Sequence, residues 1–179
     1  AAARYPGAEV VPDIADAWNG IDLLVVASPN RSHAELALGA VERGLPVVID
    51  KPLAATLDEA KRVNRAGGRV TVFQNRRWDG DFMTLRSILD EGSLGQIVRF
   101  ESRFERFRQE IRDAWRESGD PLDGGGQLAD LGAHLIDQAI VLFGPPNNVY
   151  AEVDTRRPGA VTDDDAFIAL EHDGGIRSH

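Results

Sequence analysis

Three short runs rich in β-branched residues, at 21–27, 46–49 and 70–73, constrain this chain more than any other feature. Their hydrophobicity is nearly continuous, which suits strands buried on both faces of a parallel sheet rather than strands with one wet face. Helical segments lie between them. Residues 34–43 are stopped by Gly44, with Ser32 as a candidate N-cap. Residues 57–66 follow Thr56, carry Glu59 in the capping-box position and end at Gly67-Gly68. Strand, helix, strand, helix, strand at this spacing predicts a doubly wound α/β sheet. Ahead of it, residues 8–11 read as a further short strand. Pro12-Asp13 opens a short helix that Asn19-Gly20 ends.

Beyond residue 76 the pattern changes. Phe82, Leu85, Ile88 and Leu89 mark an amphipathic helix ended by Gly92. Residues 97–107 alternate, as a half-buried strand does. Residues 109–126 are polar and glycine-rich, with Trp115 the one large apolar group, and read as a long functional or disordered loop. A glycine run at 124–126 leads into a helix carrying Leu128, Leu131, Leu135 and Ile136, which stops at Gly144-Pro145-Pro146. Residues 149–153 and 167–170 read as strands joined by a hairpin loop, whose Asp163-Asp164-Asp165 run is expected to be a solvated turn. The expected architecture is therefore α/β. Residues 1–75 carry the parallel sheet, and residues 76–179 a second sheet, antiparallel or mixed. Three parallel strands would leave an exposed edge, a poor folding unit alone. The expectation is that a first βαβ portion lies outside this chain, and that strand-like residues 174–179 stop short of a closing element.

In doubly wound sheets, ligands bind beyond the carboxyl ends of the strands. That rule selects Ser28, Pro29 and Asn30, then Asp50 and Lys51, then Gln74, Asn75 and Arg76. On the later helix, Asp130 and His134 stand four apart and would share a face, with Asp137 three further on. A carboxylate beside an imidazole raises its pKa and suits proton transfer. An ordinary structural pair, or a shared cation needing further ligands, would explain the same spacing. The formal net charge of −9 argues against a general nucleic-acid binder. The chain has no cysteine, so thiolate metal sites and disulfides are excluded. No apolar run is long enough for a membrane span, and residues 1–7 do not read as a signal peptide. A cytoplasmic location is expected.

Three stretches in order resemble the Gfo/Idh/MocA family of NAD(P)-dependent oxidoreductases. They are Val25-Val26-Ala27-Ser28-Pro29-Asn30 with His33, then Gly44 to Leu53 around Asp50-Lys51-Pro52, then Gly126 to Asp137. Residues 73–79 and 99–107 are similar to the branch that includes NADP-dependent scyllo-inositol dehydrogenases. The resemblance implies that residues 1–75 are the C-terminal part of a dinucleotide-binding Rossmann domain and residues 76–179 a substrate and oligomerisation α+β domain with an open, mostly antiparallel sheet. It implies hydride transfer between NAD or NADP, NADP being favoured, and a polyol, inositol or sugar. It also implies that Ser28, Pro29, Asn30, His33, Asp50, Lys51 and Gln74 lie on the cofactor side. Asp50 stands where the family has glutamate. The family's lysine, aspartate and histidine match Lys51, Asp130 and His134, so His134 is expected as acid/base, Lys51 as electrostatic stabiliser and Asp130 as orienting group. Arg76, Trp78 and Trp115 are candidates for the substrate pocket, together with Asp130 and His134. No metal is expected. No Gly-x-Gly-x-x-Gly follows a first strand here, so the pyrophosphate loop is expected upstream. A sensor that binds NAD(P) or sugar without turnover, on the same scaffold, is the alternative function. A metal-assisted lyase or isomerase using Asp130 and His134 is a further one. An open sheet face would suit a homo-oligomer.

Overall fold

The computed structural model describes residues 4–112 and 114–179. Ala1 to Ala3 of the N-terminal stretch, and Asp113 within the long connection, lie outside the described residues. A single helical turn, α1 (Ile14–Ala17), opens the described secondary structure, its N-terminus capped where Asp13 Oδ1 accepts from the Ala15 N–H at 2.8 Å. Strands β1 (Leu24–Val26), β2 (Val47–Asp50) and β3 (Val70–Phe73) then form a parallel sheet in that order. Val26 pairs beside Ile49, and Ile49 beside Val72. Helices α2 (His33–Glu42) and α3 (Leu57–Ala66) are the crossovers. Ala34, Ala37 and Ala40 recur every three residues and present no bulk, so α2 settles close onto Val26, Val47 and Ile49. Val63 of α3 completes this buried cluster. Burying each of these Val and Ile side chains stabilises the fold by about 1.5–3 kcal/mol. Thr56 and Glu59 form the expected reciprocal capping box.

Three local expectations fail. Residues 8–11 form no strand; they have no neighbouring strand to bond, and Val10 is exposed. The first sheet is not buried on both faces. Helices α2 and α3 cover the side bearing Val26, Val47 and Ile49, whereas Val25 is 61% exposed and Phe73 48% on the other. Ser32 does not cap α2, because a 3₁₀ turn (Asn30–Ser32) runs straight into the helix and leaves Ser32 in helical geometry. Its hydroxyl donates instead to the Pro29 carbonyl at 2.7 Å.

The second half begins with α4 (Gly80–Asp90), which buries Phe82. Its sheet has the order β4-β7-β6-β5, from β4 (Arg99–Phe100), β5 (Asn148–Asp154), β6 (Asp165–Glu171) and β7 (Arg177–Ser178). Two of its pairings are antiparallel and β4–β7 is parallel. The expected strand over 97–107 shrinks to two residues. Its ladder is made with residues 177–179 and runs out where Ser102 N–H donates to the His179 carbonyl. Helix α5 (Ala133–Phe143) packs on the sheet, with Phe143 5.5 Å from Phe100 and 5.6 Å from the buried His172 ring.

The Asp163–Asp165 run is not a solvated turn. Asp163 Oδ2 accepts from Leu128 N–H at 2.7 Å, and the Asp163 carbonyl accepts from Gln127 N–H at 3.0 Å, so this aspartate caps the start of the central helix. Asp164 accepts from the Arg156 and Arg157 backbone N–H groups and from Arg157 Nε. The two halves are tied by polar contacts: Arg31 donates to Asp120 and Asp123, and Asn30 Nδ2 donates to the Asp123 carbonyl at 2.7 Å. Within residues 76–179, Arg77 forms a fork on Asp137 at 2.7 and 2.6 Å. Among the described residues no helix is long and apolar enough to cross a membrane.

Candidate active site

A cleft of about 1120 Å³ opens at the carboxyl end of β2, walled by the start of the central helix, residues 106–109, Arg112, Arg116 and Glu117, and the β5–β6 hairpin. The sequence around β2 delivers Lys51 to its floor. The buried His33 ring fixes the approach. Its two nitrogens lie 2.7 Å from the Pro52 carbonyl and 2.9 Å from the Ser28 carbonyl, so one imidazole holds the loops after β1 and β2 together. His33 is 1% exposed, with neither nitrogen free for a ligand, and its place is that of a positioning residue.

The opposite wall is the start of the central helix, and here the local geometry departs from the expected one. Residues Leu128–Gly132 form a π-helical turn before α5. Gly126, with φ +95°, makes the entry, and Gly132 leaves room for the Leu128 side chain. That turn closes i→i+5 bonds rather than i→i+4 ones. Asp130 makes no hydrogen bond to His134 among the described residues, and its partners lie elsewhere. Its Oδ1 accepts from Lys51 Nζ at 2.9 Å, its Oδ2 from Arg116 Nε at 2.6 Å, and its backbone carbonyl from Lys51 Nζ at 2.8 Å. The expected role of Asp130 as the group that orients His134 is corrected accordingly: its carboxylate is committed to Lys51 and Arg116. Those two cations also hold the oxygens that a shared metal would need.

The electrostatics follow from this arrangement. Burial pushes the Asp130 carboxyl up, but Lys51 and Arg116 together hold it below its ordinary value. His134 is 6% exposed, and its pKa is lowered rather than raised. Burial is the largest cause, the Lys51 and Arg76 cations add to it, and Asp130 and Asp137 oppose it. Its Nδ1 is buried with no hydrogen-bond partner among the described residues. A neutral imidazole with a free nitrogen, beside an ammonium, can take a hydroxyl proton while the ammonium steadies the oxygen left behind.

Of the residues selected from sequence, Asp50, Lys51, Arg76, Asp130 and His134 line this cleft. Ser28, Pro29, Asn30 and Gln74 lie outside its lining. Ser28 and Ser32 bond through their hydroxyls, Asn30 is spent on Asp123, and Gln74 Oε1 is buried without a partner. Trp78 is not in the cleft; its side chain lies at the surface, 67% exposed. Trp115 is not in its lining either; the Arg116 guanidinium stacks on the Trp115 ring, 4.2 Å from its centroid. Sequence reasoning missed Arg116, Glu117 and Arg157. Arg157 bridges Glu117 and Asp164, both at 2.7 Å, and so holds the hairpin against the long connection. The visible signal was five arginines between residues 103 and 116 in a chain of net charge −9.

Residues 1–72 match the oxidoreductase family with an NAD-binding Rossmann fold, and residues 82–179 match the GFO/IDH/MocA C-terminal domain. The uncharacterized oxidoreductase YdgJ of Escherichia coli K12 is 46% identical over 168 residues, 90% of this chain and 48% of that protein. The scyllo-inositol 2-dehydrogenase (NADP(+)) IolW of Bacillus subtilis is 37% identical over 174 residues, 94% of this chain and 48% of that protein. The solved structure of yvaA from Bacillus subtilis superposes with a TM-score of 0.90 at 35% identity, covering 99% of this chain and 51% of that one. The chain thus spans about half the length of the curated relatives it matches.

Proposed function

The chain belongs to the Gfo/Idh/MocA family of oxidoreductases, and from that premise we propose that the protein transfers a hydride between a nicotinamide cofactor and a hydroxyl-bearing carbon of a polyol, inositol or sugar. The observation that carries this reading is the pairing of Lys51, held by Asp130, with a buried His134 whose Nδ1 is unpartnered in the same cleft. Residues 1–75 serve the cofactor and residues 76–179 the substrate. NADP is the favoured cofactor, on the branch resemblance and on the NADP(+) named for the relative IolW.

The residues at the carboxyl ends of β2 and β3 fit the nicotinamide end of such a cofactor. Lys51 and Asp50 border the cleft there, and the orphaned Gln74 Oε1 is an acceptor suited to a carboxamide N–H. When bound, the nicotinamide supplies the hydride acceptor in oxidation or the donor in reduction. In oxidation, His134 takes the hydroxyl proton, and its lowered pKa keeps it neutral and ready. Lys51 Nζ stabilises the developing alkoxide. Asp130 and Arg116 fix Lys51 so that its ammonium points into the cleft rather than into solvent. In reduction, the same histidine returns the proton.

The exposed Tyr150 and Phe167, side by side on one face of the second sheet, support a homo-oligomer, because soluble chains rarely leave such a face uncovered. The test of function is NADPH- and NADH-dependent turnover over a panel of polyols and sugars, with His134→Ala beside the parent protein. The expected outcome is a fall in kcat of about 10²–10⁴-fold with NADPH binding unchanged. Undiminished turnover in the variant would remove His134 from the mechanism.

A further inference from the structure

Eight cationic side chains line the cleft against five carboxylates, in a chain whose formal net charge is −9. Most of the cations are spent. Lys51 and Arg116 are on Asp130, and Arg157 sits between Glu117 and Asp164. Arg76 is bonded to Asp79, and Arg156 to Asp154 and Asp165. Arg106, Arg108 and Arg112 make no ion pair and no side-chain hydrogen bond among the described residues. Two lining carboxylates, Asp50 and Asp163, have no cationic partner among the described residues, but each accepts a backbone N–H, Asp50 from Lys51 and Asp163 from Leu128. Three uncommitted guanidinium groups therefore face one cleft that also holds the proposed acid/base and its lysine.

We propose that the substrate of this cleft carries an anionic group, a phosphate or a carboxylate, which Arg106, Arg108 and Arg112 hold while its hydroxyl-bearing carbon lies against Lys51 and His134. The inference rests on the dehydrogenase reading and narrows its substrate class. Guanidinium forks match phosphate and carboxylate oxygens in pairs, and several like charges around one cleft repel until an anion joins them. A cleft with an excess of one sign also concentrates ligands of the opposite sign from solution. The cofactor's own phosphates are a poorer match. In a doubly wound sheet the pyrophosphate lies at a helix N-terminus beyond the parallel strands, whereas these arginines belong to the connection that follows β4.

The test is calorimetry on the 179-residue chain with myo-inositol, myo-inositol 1-phosphate, glucose, glucose 6-phosphate and glucuronate, each at low and at raised salt. The expected result is that at least one anionic sugar binds about tenfold or more tightly than its neutral counterpart, and that salt erodes the gap. Phosphate and carboxylate probes tell the two anion types apart. In a variant carrying Arg106→Gln, Arg108→Gln and Arg112→Gln the gap closes. Equal binding of neutral and anionic sugars, binding of none of them, or a gap that persists in the triple variant would each overturn the inference. So would displacement of the sugar phosphate by NADPH in direct competition, since the arginines would then serve the cofactor. The salt series on the unaltered chain decides the matter even if the triple variant does not fold. The dehydrogenase reading is judged separately, by nicotinamide-dependent turnover: an enzyme that oxidises only neutral polyols sinks the inference alone, and charge-selective binding without any turnover sinks the reading alone.

Discussion

Replacing Lys51 with methionine keeps the length of the side chain and removes its charge. The ammonium makes two bonds to Asp130, one to Oδ1 at 2.9 Å and one to the backbone carbonyl at 2.8 Å. The two side chains are only 14% and 17% exposed, so water restores little of what is lost. A hydrogen bond to a charged group contributes about 1.5–3 kcal/mol. Part returns, because Arg116 still satisfies Oδ2 and the repulsion of Lys51 by Arg76 and Arg116 disappears. The expected net loss is about 2 kcal/mol, or about 4–8 °C in Tm for a chain of this length. A second readout has a sign that mere destabilisation cannot imitate. After burial, the Lys51 cation is the largest cause of the lowered His134 pKa, so Lys51→Met raises it. Asp130 acts in the opposite sense, so Asp130→Asn lowers it further. Following the His134 ring proton by NMR titration in both variants, alongside thermal melts, tests the arrangement. A melt for Lys51→Met within about 1 °C of the parent, or a shift of His134 in the same direction in both variants, refutes it.

Two further outcomes follow from the same geometry. Gly126 holds φ +95° and an added Cβ would overlap Asp163 Oδ1, so Gly126→Ala should cost about 2–3 kcal/mol; Gly95→Ala, at φ +65° in open space, should cost about 1 kcal/mol, and thermal melts that rank the two equally would remove the Asp163 contact as the reason. Acid should unfold the chain in two stages seen as urea midpoints against pH. His134, lowered from 6.5, gives stability that is complete above 6.5 and is lost as pH falls toward its folded value; Asp130 and Asp164, lowered from 3.8, give stability present above 3.8 and lost as pH falls through their folded values. A midpoint that holds constant from neutral pH to below 3.8 would contradict both.

The parts of the fold that were legible in the sequence are those fixed by short-range rules. The capping box at Thr56 and Glu59, the stop at Gly44 and the parallel pairing of β1, β2 and β3 each follow from residues within a few positions of one another. Hydrophobicity alone did not reveal which sheet face would be covered, since Val25 and Val26 are the same residue type and differ only in which side α2 and α3 occupy. Nor did alternation establish the strand over 97–107, because a strand needs a partner and the ladder ends at Ser102. The aspartates at 163 and 164 looked like a solvated turn for the same reason: their partners, Leu128 and Arg157, are fixed only once the hairpin folds back on the central helix.

The central pair shows what the partners of one carboxylate decide. A carboxylate bonded to the imidazole would favour the imidazolium. Asp130 is bonded instead to Lys51 and Arg116. Two consequences then reinforce each other. Lys51 is held close to His134 as a cation, and the imidazole, buried and next to that cation, stays neutral. One carboxylate, by holding Lys51, thus leaves a fixed positive charge beside an imidazole with no carboxylate bonded to it, the division that the proposed alcohol oxidation calls for. The residues alone, Asp130 and His134 at a spacing of four, point equally well to a charged ion pair; the partners of Asp130 in the structure favour the base.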